Sequence, residues 1–429
     1  MIDTLREYVQ GKRVLILGFG REGKSTFRAL KQAGGWTCLD IADANPVQLE
    51  DGEAVRVFTG PDYLEHMDAY DIVFKTPGIV LPKAPEEYHC TVTSQTELFL
   101  RRFREQIVGV TGTKGKSTVT TLIYHVLKQS GKNCLLAGNI GVPMFDVADQ
   151  IGPETIVVVE LSCHQLEYCK QSPSTAVLLN LYEDHLDHYG TFERYVRAKQ
   201  NIYRHQTAKD TLFCGPAVLP EDCPSRVVPI QTDVLPFQDL EQVEGMRLRG
   251  EHNRYNCAAA RLVCGHFGVT DQQFMDALPA YQPLRHRLEY LGQRDGVDYY
   301  DDSISTTAES AISAVKSIPN AGILLLGGMD RGIEYGTLVD FLLEGGPEYV
   351  VLMYESGARI QRMVEERMGP DGSKRFCRVS DLYQAAAWVK DHARPGSACI
   401  LSPAAASYGH FKNFEERGEV FRKLIFEEP

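Results

Sequence analysis

The feature that most constrains this chain is a recurrence of short apolar runs, each followed by a loop and a stretch of helical periodicity. The runs are RVLILG (13–18), DIVFK (71–75), QIVGVTG (106–112), TIVVVEL (155–161), TAVLLNL (175–181), GILLLGG (322–328), YVVLMY (349–354) and ACILSP (398–403). Near-continuous apolar strands suit sheets covered on both faces, so the pattern predicts an α/β fold with parallel sheets. At roughly 100–200 residues per domain, 429 residues make room for about three domains. Proline and polar residues gather at 82–95 and at 278–287, each time ahead of a new run of strands. These gatherings mark expected domains at 1–93, 94–283 and 284–429. The stretch 214–250, rich in Pro, Asp and Glu, reads as a surface excursion.

Composition removes several function classes. A net charge of −12 argues against a general nucleic-acid binder, which would carry a basic face. The apolar runs fall short of the ~20 residues of a membrane helix. The N-terminal MIDTLREYVQGKR lacks the apolar core of a signal peptide. The 11 cysteines are scattered with no CxxC pair, which points to buried thiols in a reducing cytosol rather than a disulfide framework or zinc ribbon. A cytoplasmic protein without membrane insertion is expected.

Two glycine loops compete for a phosphate. Gly18-Phe19-Gly20-Arg21-Glu22-Gly23-Lys24-Ser25 follows the first strand and satisfies both GxGxxG and the strict GxxxxGK[ST] string. Thr111-Gly112-Thr113-Lys114-Gly115-Lys116-Ser117-Thr118 fails the strict string, because position 110 is Val110. Chemistry downstream favours the second loop for ATP. Lys116 supplies the cation for the β/γ-phosphates and Ser117 the hydroxyl for Mg²⁺. Both open a helix marked by Val119, Leu122, Ile123, Val126 and Leu127 and ended by Gly131, and a helix N-terminus favours anions. Glu160 ends one following strand, and Asp184-His185-Leu186-Asp187-His188 follows the next, where open α/β sheets place ligand groups. The first loop is followed only by Asp40, 17 residues past Gly23, and by Lys75-Thr76-Pro77-Gly78. It reads as a Rossmann-like site for a nucleotide diphosphate with Asp40 as the ribose acid, or as a tight strand-to-helix turn.

In Thr191–His205, Lys199 shares a helical face with Phe192, Tyr195, Val196, Ile202 and Tyr203. Such a lysine either snorkels to water or is buried, in which case its pKa falls and its neutral amine becomes a nucleophile, including towards CO₂. The DHLDH run admits two readings as well: metal coordination, with His185 nearest the strand end, or a capped turn with solvated histidines.

The combination of motifs resembles the Mur ligase family, ATP-dependent amide-forming enzymes of peptidoglycan synthesis. It comprises TGTKGKST (111–118), GNIGVP (138–143), ELSCHQLE (160–167), NLYEDHLDHYGTFERYVRAK (180–199), EHNRYN (251–256), HRLE (286–289), DDS (301–303) and SPAAASYGHFKNFEERG (402–418). The last is similar to the glutamate-adding members in particular. The resemblance implies a Rossmann-like N-terminal domain, a central P-loop-type ATPase domain and a C-terminal Rossmann-like domain. It implies that Gly112, Thr113, Lys114, Gly115, Lys116, Ser117 and Thr118 bind ATP, with Asn253, Asn256, Arg287 and Asp302 facing it from the second and third domains. Catalysis would fall to Lys116, Glu160, His185 and Lys199. Two Mg²⁺ would be held by Ser117, Glu160, His185 and Lys199, the lysine as an N-carbamate formed with CO₂. Gly20, Arg21, Glu22, Asp40, Thr76, Pro77, Gly78, Asn139 and Ser162 would hold the UDP-linked substrate. Thr306, Arg331, Ser407 and Phe414 would line the glutamate pocket.

The implied reaction adds glutamate, D by family default, to UDP-N-acetylmuramoyl-L-alanine through an acyl phosphate. A monomer acting on small molecules is expected, with closure of the third domain excluding water. Two positions depart from the family pattern: Ile304 stands where a lysine is expected after Asp302-Ser303, and Arg331 where a lysine is usual. The alternatives are ligation of L-glutamate, a related Mur-type or folylpolyglutamate-synthase-like ligase using another amino acid, and a non-catalytic nucleotide sensor. An NAD-dependent oxidoreductase built on GxGxxG and Asp40 would leave GTKGKST, Glu160 and Lys199 without a role.

Overall fold

Three sheets follow one another along the chain. The computed structural model describes residues 1–49, 55–248, 250–368 and 375–427. The first sheet holds β1 (Arg13–Leu17), β2 (Cys38–Asp43), β3 (Val57–Thr59), β4 (Ile72–Lys75) and β5 (Thr91–Thr93). All are parallel, in the order β3-β2-β1-β4-β5. The helices α1 (Ile2–Val9), α2 (Arg21–Ala33) and α3 (Gln95–Phe103) accompany it. The order in which strands are added reverses at β1, which lies between β2 and β4, so the crevice for a ligand opens at its C-terminal end.

The second sheet holds β6 (Ile107–Thr111), β7 (Cys134–Gly138), β8 (Ile156–Glu160), β9 (Thr175–Leu178), β10 (Thr211–Cys214) and β11 (Arg226–Pro229). These too are parallel, in the order β11-β10-β9-β6-β8-β7. Here β6 sits between β8 and β9, so the loop after β6 occupies the switch point. The helices are α4 (Lys116–Gln129), α5 (Met144–Val147), α6 (Cys163–Leu166), α7 (Leu186–Tyr189), α8 (Phe192–Gln200), α9 (Glu251–His266) and α10 (Asp271–Ala277). The stripe that predicts α4 is fully buried, and Gly131 follows its end in the left-handed region at φ 78°. One apolar cluster, running from Leu5 and Val9 to Leu212 and Cys214, joins the first two sheets.

The third sheet holds β12 (Glu289–Arg294), β13 (Val297–Asp301), β14 (Ala321–Leu326), β15 (Tyr349–Leu352), β16 (Phe376–Arg378) and β17 (Ala398–Leu401). Its order is β12-β13-β17-β14-β15-β16, parallel except for the β12–β13 hairpin. That hairpin turns at Asp295-Gly296, both with positive φ, as a two-residue turn requires. The helices α11 (Ala308–Ser317), α12 (Gly336–Gly345), α13 (Tyr354–Met368), α14 (Leu382–His392) and α15 (Phe414–Phe426) cover its two faces. By contacts the chain divides into two compact units: 1–243 with 252–280, and 244–251 with 281–429.

The α/β class and the parallel sheets agree with the sequence reading, and three details correct it. The stretch 214–250 is not merely a surface excursion. Its β11 extends the second sheet, and Leu235, Phe237, Leu240, Val243, Met246 and Leu248 are buried. Their irregular spacing carries no periodic signal. The helix expected over 191–205 ends at Gln200, with Thr191 as its N-cap. Asp40, expected as a ribose acid, lies in the middle of β2, which continues to Asp43.

Candidate active site

The β6–α4 loop spans four residues, with Gly112 at φ 153° and Gly115 at φ 84°. A Cβ on Gly112 would press on Leu179, and one on Gly115 would meet the Asn256 side chain, so both positions are held to glycine. Asn180, just past β9, props the loop: its Oδ1 accepts from the amides of Thr113 and Lys114, and its Nδ2 donates to the Lys114 carbonyl. Lys116 is the first residue of α4, and its Nζ reaches back to the Thr113 carbonyl at 2.9 Å. Ser117 follows, buried, and Thr118 is half-buried beside it. Asn256, buried on α9, stands against the loop at Gly115 and donates to the buried Asn253 at 3.0 Å, so this end of the EHNRYN motif meets the loop. The helix N-terminus and Lys116 together form a cationic cradle suited to phosphate oxygens.

Glu160 ends β8 and is 1% exposed. Asn139 Nδ2 donates to its Oε1 at 2.6 Å, while its Oε2 is buried without a hydrogen-bond partner. A buried carboxylate oxygen left in this state is costly unless a cation meets it. Lys199 on α8 is also 1% exposed, so the buried reading of that lysine holds. Its Nζ donates to the Gly112 carbonyl at 2.8 Å and lies over the Tyr195 ring. Burial, reinforced by the Lys116 charge, pushes its pKa down to about 7, so a large fraction of the amine is neutral near neutral pH. The donors Glu160, Lys199 and Ser117 thus fit a divalent cation by their chemistry: one orphaned carboxylate oxygen, one amine available to CO₂ and one hydroxyl at the helix start.

His185 lies at φ 54°, its side chain 45% exposed, with its amide bonded to its neighbour Asp184. It stands beside His188 of the same run and beside His164, which no sequence signal singled out. His164, the second residue of α6, packs edge-on against His185 and His188 at 4.9 and 4.4 Å between ring centroids. Burial first, then His188 and His185, push the His164 pKa down to about 3, so this imidazole is neutral. His188 is fixed by Glu167 at 3.1 Å. The cluster escapes sequence reading because it joins two strand ends; the CHQ triplet in ELSCHQLE was its only local signal.

At the first glycine loop, α2 begins at Arg21, so Lys24 lies a full turn inside the helix and is exposed. Gly18 stands at φ 91°, and a Cβ at Gly23 would overlap the Gly18 carbonyl, the close strand–helix approach that a dinucleotide-type turn needs. Thr76 Oγ1 donates to the Leu17 carbonyl; Pro77 and Gly78 continue the loop outward. Arg21 donates to the carbonyls of Asn139 and Gly141, tying this loop to GNIGVP. Gln165 Nε2 donates to Glu22, and burial raises the Glu22 pKa to about 7. Ser162 caps α6, accepting the Gln165 amide.

Asp40 does not reach this loop. It is buried mid-strand, bonded to Arg56 and to the Tyr70 hydroxyl. Burial opposes its charge, but those bonds outweigh it and hold the carboxyl below the usual range. The acid that does meet the loop is Asp43, whose Oδ2 accepts the Phe19 amide at 2.6 Å. Asp43 lies three residues past the expected Asp40 on the same strand.

The remaining expected residues belong to the second compact unit. Asp302 accepts from the Leu288 amide and from Ser402 Oγ, and burial raises its pKa to about 6. Arg287 lies in the same turn as His286, which bonds Asp301 at 2.6 Å. Ser407 is buried, while Thr306 and Arg331 are exposed. Phe414 opens α15, and its carbonyl accepts from Ser303 Oγ. Behind them lies a residue that sequence reading did not single out: Arg417, 1% exposed, bonded to Ser303 and the Ala405 carbonyl. Ile304 donates its amide to the His286 carbonyl and is half-buried.

Known proteins resemble this chain over nearly its whole length. The family model described as Mur ligase middle domain matches residues 110–232. A protein of Streptococcus sanguinis named UDP-N-acetylmuramoylalanine--D-glutamate ligase is 33% identical, with 96% of each chain covered. One of Geobacillus kaustophilus with the same name is 32% identical over 97% of this chain and 98% of its own. Among solved structures, the MurF ligase of Thermotoga maritima in complex with ADP aligns with a TM-score of 0.62 at 18% identity, covering 99% of both chains. The UDP-N-acetylmuramate-alanine ligase of the same organism gives 0.57 at 16% identity, covering 96% of this chain and 98% of its own. On the full-length identity to its relatives, the middle-domain match and the shared fold, this chain belongs to the Mur ligase family.

Proposed function

We propose that this chain is an ATP-dependent amide ligase that joins D-glutamate to UDP-N-acetylmuramoyl-L-alanine in cytoplasmic peptidoglycan precursor synthesis. The observation that carries the reading is the convergence of Lys116, the half-satisfied Glu160 and the buried Lys199 around one glycine loop. The near full-length likeness to ligases of that name supports the choice of substrates.

In this reading the domains divide the work. Residues 1–93 hold the UDP-linked substrate through the 18–23 loop, Thr76, Pro77 and Gly78, with Asp43 in the place expected of Asp40. Residues 94–283 hold ATP on 112–118, with Asn253 and Asn256 against the loop. Residues 284–429 carry the glutamate pocket of Thr306, Arg331, Ser407 and Phe414, with Arg287 and Asp302 as further ATP contacts. Ser117, Glu160, His185 and Lys199, the last as an N-carbamate, are the groups that would hold Mg²⁺. When bound, the metal neutralises phosphate oxygens as they gain charge.

The steps follow from charge. Lys116 holds the β/γ-phosphates while the γ-phosphoryl group passes to the alanyl carboxylate, giving an acyl phosphate and ADP. Asn139, held by Glu160, orients that carboxylate. The free amine of glutamate attacks the acyl carbon, loses a proton, and phosphate leaves as the amide forms. Carbamate formation converts the neutral Lys199 amine and CO₂ into an anionic oxygen ligand with release of one proton. Arg331 pairs with a glutamate carboxylate, and Ile304 provides apolar contact rather than a second cation. The protein acts as a monomer on small molecules. Among the described residues no helix is long and apolar enough to cross a membrane.

The reading is tested by mass spectrometry of the nucleotide-sugar product after incubation with ATP, Mg²⁺, the acceptor and glutamate. A product heavier by one glutamyl residue is expected. Unchanged acceptor with every amino acid supplied would reject the proposal.

A further inference from the structure

Cys163 and His164 open the short turn after β8, and His185 stands at the entrance to the turn after β9. Each offers one ligand atom, and the three atoms lie within 4.8 Å of one another. Cys163 is 2% exposed, whereas His185 is open to solvent, so the group has a buried sulfur and an entry path. The Tyr189 hydroxyl lies 3.4 Å from His164 Nδ1, and the His188–Glu167 pair packs behind the His164 ring. Cys163 and His164 are thus held in place, and the three are soft and borderline donors with no carboxylate among them.

We propose that Cys163, His164 and His185 form a binding site for a borderline-soft divalent cation of the zinc class, with its fourth position open to water. Zinc–sulfur and zinc–nitrogen bonds of about 2.3 and 2.0–2.1 Å place tetrahedral ligand atoms roughly 3.5 Å apart, so small side-chain rotations close the group. A thiolate with two imidazoles selects zinc-class ions, whereas Mg²⁺ prefers oxygen, keeps its waters and would take the His185 imidazole only among oxygen ligands. On binding, a sulfur–metal bond forms, the thiol proton passes to buffer, and both imidazoles bind neutral. The site draws on His185, which the ligase reading gives to Mg²⁺. A zinc-class ion therefore withdraws that ligand and inhibits turnover, and this consequence alone rests on the ligase reading.

The test is titration of the metal-free full-length protein with Co²⁺, followed by absorption. The wild type is expected to show a thiolate-to-cobalt charge-transfer band and the intense visible bands of a four-coordinate ion, both displaced by Zn²⁺. Cys163→Ser should lose the charge-transfer band, and binding should weaken by at least about tenfold, as even loss of an outer-shell partner does. The weak spectrum of a six-coordinate ion in the wild type, or a charge-transfer band that survives in a folded Cys163→Ser, overturns the proposal. Should that variant fail to fold, His164→Gln decides: an equal loss of affinity supports the site, and unchanged affinity overturns it. Zinc inhibition of phosphate release at fixed Mg²⁺ reads the consequence separately. Its absence alongside the cobalt spectrum would reject the competition with Mg²⁺ and leave the site standing.

Discussion

The two glycine loops look alike in sequence and differ in where their helices begin. After β1 the helix starts at Arg21, so Lys24 of the GKS triplet sits a turn inside it, pointing to solvent, while Ser25 bonds Asp146. After β6 the loop is one residue longer and α4 starts on the lysine itself, which folds back over the loop. A lysine at the first helical position can reach a phosphate cradled by the loop amides; one a turn later is carried about 5 Å along the axis and away from them. A string match counts residues, but phosphate binding depends on which residue is the first of the helix.

The comparison breaks most directly at those lysines. Lys116→Ala should lower acceptor-dependent phosphate release by about 10³-fold or more, the scale of removing a main charge stabiliser, whereas Lys24→Ala should stay within about twofold. Equal losses in both variants would erase the distinction. Lys199→Ala should cost on the order of 10²–10³-fold and recover in part with a short carboxylic acid supplied in solution. Wild-type activity in that variant without rescue would sink the carbamate assignment.

The first loop's acids give a smaller contrast. Asp43→Ala should raise KM for the UDP-linked substrate by about tenfold with kcat little changed. Asp40→Asn should leave KM alone and lower stability by about 1–3 kcal/mol in urea unfolding, because it weakens a buried bond set to Arg56 and Tyr70. The smallest effect is at Glu22. Its pKa is about 7 in the folded protein against an ordinary 4.5, so the folded state binds the extra proton between those values. Stability conferred by that proton is present at low pH and lost as pH rises towards 7. Glu22→Gln should therefore stabilise the protein at pH 8 by on the order of 3 kcal/mol, read as a higher melting temperature, with little change at pH 4. The same shift at both pH values would contradict the buried acid.

What the sequence made legible was periodic or local. The stripe of α4 and the apolar face carrying Lys199 came from spacing alone, and the buried strands β1, β6, β8, β9 and β14 from apolar runs. The hairpin at Asp295-Gly296 and the edge strand β11 were passed over, since half-exposed strands carry mixed residues. Spacing past Gly23 points to Asp40, but side-chain direction along β2 is not legible from spacing, and it is Asp43 at the strand end that meets the loop. The His164–His185–His188 cluster is tertiary: His164 lies on the turn after β8 and the other two on the turn after β9, and only the parallel order of β8, β6 and β9 brings those turns to one end of the sheet.

The most direct test of the central claim is phosphate release from ATP and Mg²⁺ with UDP-N-acetylmuramoyl-L-alanine, comparing D-glutamate, L-glutamate and no amino acid. The account predicts sustained release with D-glutamate alone, abolished by Lys116→Ala. Release with L-glutamate alone would reassign the amino acid, and release that ignores the acceptor or survives in Lys116→Ala would contradict the ligase built on the second loop.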